Sequence, residues 1–140
     1  MTAATPRVEA VEERPIRADG DVVVVRQTVR ALAVRAKLSL VDQTKIVTAS
    51  SELARNTLVY GGGGTAILEI VEDVGRRGVR ATFTDAGPGI PDVDLALTDG
   101  WTSGSGLGLG LSGTRRLVDG FTLETAVGEG TTISVIKWAR

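Results

Sequence analysis

The chain has 140 residues, with 16 Lys and Arg against 17 Asp and Glu, so its net charge is -1 and no general electrostatic attraction to nucleic acid or an anionic membrane exists. It contains neither Cys nor His, which removes disulfides, thiolate metal sites, Ser-His-Asp triads and a phosphohistidine relay. Two Trp, one Tyr and two Phe make no platform for stacked bases, and no signal peptide or membrane-length apolar run is present, so a cytoplasmic protein is expected.

Residues 1–6 read as a flexible tail, followed by one domain over 7–140. Arg7 to Ile16 alternates weakly, as an edge strand would. In DVVVVRQTVRALAVRAKL the valine run favours a strand, but Val25, Val29, Leu32 and Ala36 recur at helical spacing, and the spacing predicts a helix capped by Asp19 or Asp21. Ser39 is the expected N-cap of a second helix, whose apolar face is Val41, Ile46, Val47, Ala49, Leu53, Ala54 and Leu58. Gly61 to Gly64 ends it and reads as a long flexible turn.

Thr65 to Asp73 reads as a strand, Gly75 to Gly78 as a hairpin loop, and Val79 to Thr84 as a second strand with Val79, Ala81 and Phe83 on one face. Asp85 closes it. Leu107 to Val118 reads as a helix, and Phe121 to Val127 with Thr131 to Trp138 as a hairpin around Gly128-Glu129-Gly130. Strand, two helices, two strands, helix, two strands suggests an α/β two-layer sandwich, with a mixed, mainly antiparallel sheet and its helices on one face.

Four stretches carry candidate chemistry. Glu52 and Asn56 are four apart, so they share a helix face, a spacing equally suited to a solvated surface. In DAGPGI a strand-end Asp85 suits an exocyclic amine and Gly87 and Gly89 admit a flat ring; the same residues also make an ordinary turn. In GSGLGLGL, Gly104, Gly106, Gly108 and Gly110 precede a helix, where bare amides suit phosphate. There is no GxxxxGK[ST], and the GxGxxG match of Gly108, Gly110 and Gly113 follows no strand, so neither a P-loop nor a dinucleotide fold is indicated. Thr131, opening the last strand, is placed to support Asp85.

Taken in order, SELARN, DAGPGI, GSGLGLGL and GEGT resemble the N, G1, G2 and final Gly-Thr elements of the GHKL, or Bergerat-fold, ATPase superfamily. The resemblance covers essentially the whole chain. Within that superfamily, DAGPGIPD, GLGLGLSGTRRLVDGF and GEGTTISVIKW are most similar to the small serine/threonine switch kinases of bacterial stressosome and partner-switching pathways, near relatives of the anti-sigma kinases.

The resemblance implies ATP and Mg²⁺ as cofactors, with Asn56 holding the metal and Glu52 as the general base. It implies that Asp85 and Thr131 read the adenine, and that Gly87, Gly89 and Ile90 form the wall around it. Gly104, Ser105, Gly106, Leu107, Gly108, Leu109 and Gly110 would wrap the phosphates, beneath a lid from about Asp92 to Ser103. The implied substrates are Ser or Thr residues of STAS-domain proteins, and the released kinase would bind and activate a PP2C-type phosphatase. Other readings are an anti-sigma factor with the same kinase chemistry, a non-catalytic nucleotide-gated interaction module and a stand-alone ATPase. Retained Glu52 and Asn56 speak against the pure binder.

Overall fold

The computed structural model of the chain describes residues 6–90, 92, 93, 97 and 110–140. The first strand, β1 (Arg7–Ile16), leads into α1 (Asp19–Arg35), where helical periodicity prevails over the β propensity of the valines. Val22, Val25, Val29, Leu32 and Ala33 form the buried stripe, while Val23 and Val24 stay 45% and 41% exposed. Burial of one stripe against the sheet decides the conformation. Neither expected aspartate is the cap residue. Ala18 holds that position, and Asp21 reaches back from inside the helix, its Oδ2 accepting the N–H of Arg17 at 2.8 Å and of Ala18 at 3.1 Å.

Ser39 caps α2 (Leu40–Val59) as its sequence predicts, its Oγ accepting the Asp42 N–H at 3.1 Å. Strands β2 (Gly64–Asp73) and β3 (Arg76–Asp85) follow, and the turn between them is shorter than expected. Val74 and Gly75, at φ 51° and 78°, make a two-residue turn, so Arg76 and Arg77 already pair with Asp73 and Glu72. Two positive φ angles match the right-handed twist of the flanking strands.

The third helix, α3 (Leu111–Leu117), begins later than the expected Leu107. Leu107 to Leu109 lie outside the described residues, and Gly110 is left-handed at φ 64°, which sets the start at Leu111. It also stops earlier, because Val118 is extended. Strands β4 (Gly120–Ala126) and β5 (Gly130–Trp138) complete the sheet in the order β1-β2-β3-β5-β4. A mixed sheet was the expectation, mainly antiparallel; all four pairings among the described residues are antiparallel. Val79, Ala81 and Phe83 face the helices as their alternation predicts, each 2% exposed or less.

A charged knot ties the layers together away from the strand ends that carry Asp85. Lys137 on β5 is buried, its Nζ 3.3 Å from Asp119 Oδ1 and 3.6 Å from Asp42 Oδ1 of α2. Burial opposes ionisation of Asp119, but the Trp138 N–H at 2.8 Å, Lys137 and Arg140 outweigh it and hold its carboxyl below the ordinary value. Among the described residues no helix is long and apolar enough to cross a membrane.

Candidate functional site

Where β3 ends, three polar side chains stand in one row across the sheet. Asp85 on β3 is the register partner of Thr131 on β5, and Thr131 is the register partner of Thr125 on β4. The row faces the helices, because Thr131 shares its side of β5 with the core residues Ile133 and Val135. Asp85 Oδ1 accepts the Gly87 N–H at 2.9 Å, so the turn that DAGPG predicts is present and orients the carboxylate rather than competing with that role.

The glycine run after α2 is more than the slack turn expected of it. A Cβ on Gly61 would lie 2.6 Å from Asp85 Oδ2, and Gly61 in turn is packed against Gly87. The absence of a side chain at position 61 lets the chain leaving α2 pass directly beside the carboxylate.

The loop from Gly87 to Ile90 is fastened from several sides. The Tyr60 hydroxyl donates to the Gly89 carbonyl at 3.1 Å, the Gly128 N–H to the Pro88 carbonyl at 2.8 Å, and the Ile90 N–H to Thr125 Oγ1 at 2.9 Å. Three parts of the fold thus hold one loop. Asp85, Ile90, Thr131 and Asn56 line a single pocket, whose apolar walls include Phe83, Leu111 and Ile133. An acceptor group at the base of an apolar slot suits a flat ring that carries an amine.

Glu52 lies one helical turn before Asn56 and is half-buried, lining a neighbouring groove with Arg26, Arg30, Thr48 and Ser51. A Cβ on Gly110 would sit 3.0 Å from Glu52 Oε2, so the left-handed glycine that opens α3 brings the end of the glycine-rich segment against the carboxylate. Gly104, Ser105, Gly106, Leu107, Gly108 and Leu109 lie outside the described residues, as does Trp101 and most of the expected lid. Of that lid, Val93 and Leu97 pack on the core, and the Leu97 N–H donates to the Val93 carbonyl at 3.0 Å.

Among the described residues no group of three acidic side chains could cage a metal ion. One amide oxygen at Asn56 fits Mg²⁺ nevertheless, since that ion commonly takes one or two protein oxygens and completes its octahedron with phosphate and water. Sequence reasoning overlooked Tyr60, Thr125 and Gly61. Tyr60 carries a usable signal, four residues after Asn56 on the same helix face, whereas Thr125 and Gly61 are recognisable only once strand register is fixed.

Residues 41–139 match the family model described as "Histidine kinase-, DNA gyrase B-, and HSP90-like ATPase". The chain is 45% identical over 125 residues to the serine/threonine-protein kinase RsbT of Bacillus subtilis, covering 89% of this chain and 94% of that one. In fold it is similar to a crystal structure of the RsbU and RsbW domains of a Mycobacterium tuberculosis protein, at TM-score 0.66 and 19% identity, over 94% of this chain and 33% of that one. It is also similar to the SiaB-SiaC complex from Pseudomonas aeruginosa, at TM-score 0.54 and 14% identity, over 94% and 91%.

Proposed function

The chain belongs to the histidine kinase-, DNA gyrase B- and HSP90-like ATPase family, and on that premise we propose how its site carries out protein phosphorylation. It is an ATP-using serine/threonine protein kinase of the partner-switching type. The adenine occupies the slot between Phe83, Ile90 and Ile133, its amine against Asp85 with Thr131 beside it. Gly87 and Gly89 shape the wall, and the stretch from Gly104 to Gly110 supplies backbone amides to the phosphates. Asn56 holds Mg²⁺, which when bound neutralises phosphate charge.

Glu52 orients the acceptor Ser or Thr hydroxyl and takes its proton. The hydroxyl oxygen forms a bond to the γ-phosphorus as the bond from that phosphorus to the β,γ-bridging oxygen breaks, and ADP leaves with the electron pair. Little covalent chemistry is asked of the protein, so positioning and charge neutralisation suffice. The acceptor lies on a STAS-domain protein in the cytoplasm. Phosphorylation adds about two negative charges there, which releases the kinase to bind and activate a PP2C-type phosphatase.

The observation that carries this reading is the meeting of Asn56, Asp85 and Thr131 in one pocket, with Glu52 one helical turn before Asn56 and against Gly110, in a chain 45% identical to a serine/threonine kinase. The test is transfer of label from γ-labelled ATP, with Mg²⁺, to a STAS-domain protein encoded beside this chain. Label on a Ser or Thr of that protein, lost in Glu52→Ala and in Asn56→Ala, is the expected result. ATP binding without transfer to any partner would leave a nucleotide-gated binding module in its place.

A further inference from the structure

The hydroxyl of Thr125 stands behind the pocket and meets three partners at once. Its Oγ1 is 2.9 Å from the Ile90 nitrogen, 3.1 Å from the Gly130 carbonyl oxygen and 2.9 Å from Thr131 Oγ1. Two of these contacts have a fixed polarity. A backbone N–H can only donate, and a carbonyl can only accept. A hydroxyl has one proton and two lone pairs, so Thr125 accepts from Ile90 and gives its proton to Gly130. Its remaining lone pair then faces Thr131, and the third contact is a hydrogen bond only if Thr131 is the donor.

The consequence falls on the pocket. Thr131 is 7% exposed, and with its proton spent on Thr125 it turns lone pairs alone toward the slot. Its register partner Asp85 also offers only acceptors there. The polar wall is therefore acceptor on both sides of the β3–β5 pairing. A 6-amino group set against this wall donates into it, whereas a 6-keto oxygen at the same place brings lone pairs against lone pairs.

We infer that Thr125 is a positioning residue for base selectivity: by consuming the Thr131 proton it commits the site to 6-amino purines and against 6-keto purines. The inference rests on the reading of this pocket as the adenine site. Without the Thr125 hydroxyl, Thr131 is free to rotate and donate, and a keto oxygen becomes acceptable. A serine at 125 keeps the same hydroxyl and the same polarity.

The test is equilibrium binding of ATP and ITP, whose bases differ only at the 6-substituent and the adjoining ring-nitrogen proton, to wild type, Thr125→Val, Thr125→Ser and Asp85→Ala. The expected result is a fall in the ATP-over-ITP preference of about tenfold in Thr125→Val, one hydrogen bond's worth, with Thr125→Ser within about threefold of wild type. A Thr125→Val protein that binds both nucleotides more weakly but with the wild-type ratio would overturn the inference, as would equal loss of the preference in Thr125→Ser. ATP affinity untouched by Asp85→Ala would instead remove the adenine-site reading on which the inference stands.

Discussion

The two ends of the pocket are built in different ways. The loop beside Asp85 is held by α2 through Tyr60, by β4 through Thr125 and by the β4–β5 turn through Gly128, and Asp85 itself is oriented by the Gly87 N–H. At the other end Glu52 and Asn56 both project from α2, one turn apart, with Gly110 pressed against the first. A base recognised by shape and polarity needs a wall that does not adapt. Groups that act on a reacting phosphate need a common rigid axis and an approach left open to the acceptor. Damage at the first end should therefore be felt as lost affinity and stability, and at the second as lost turnover.

The largest separation of the two is expected from Glu52→Gln. Turnover should fall about 10²–10⁴-fold, the usual worth of a general base, with ATP affinity and melting temperature near wild type in calorimetry and thermal unfolding. Gly61→Ala should do the opposite. Its methyl would press on the Asp85 carboxylate, weakening ATP about tenfold and costing about 1–3 kcal/mol of stability by overpacking, while the rate at saturating ATP is retained. If Gly61→Ala altered the saturated rate and left affinity intact, the two ends would not be separable.

Away from both ends, Asp119→Asn should cost about 2 kcal/mol at neutral pH, because the buried Lys137 loses a charged partner. The folded protein holds the Asp119 carboxyl below 3.8, so its contribution is complete above that pH and fades as the pH falls through the lower, folded-state value. Denaturation followed by circular dichroism should show wild type and Asp119→Asn converging on acidification and parting at neutrality. The smallest expected effect is a gain. Val74 is a β-branched residue at φ 51° and 95% exposed, and Val74→Asn should raise stability by about 1 kcal/mol in urea unfolding without touching nucleotide affinity.

Much of this architecture is legible in the amino-acid sequence, and unevenly so. The stripe Val25, Val29, Leu32 and Ala36 settles α1 despite four consecutive valines, because burial of one face outweighs local preference. Ser39 and the alternation of Val79, Ala81 and Phe83 are read correctly for the same reason: each is a short-range pattern with one physical cause. The Val74–Gly75 turn is missed because valine is a poor left-handed residue, and only the demands of strand register impose that conformation on it. Asp85, Asn56 and Thr131, which line one pocket, are singled out by their motifs. What Gly61 and Thr125 do depends on which strand ends lie side by side, and no local spacing reports that.

The central claim is that Asp85 binds and Glu52 reacts. The most direct measurement is single-turnover phosphoryl transfer to the STAS-domain partner as a function of ATP concentration, with Asp85→Asn and Glu52→Gln in parallel. The account predicts that raising ATP restores Asp85→Asn to the wild-type rate and never restores Glu52→Gln. Transfer at the wild-type rate by Glu52→Gln, or an Asp85→Asn rate that stays low at saturation, would contradict it.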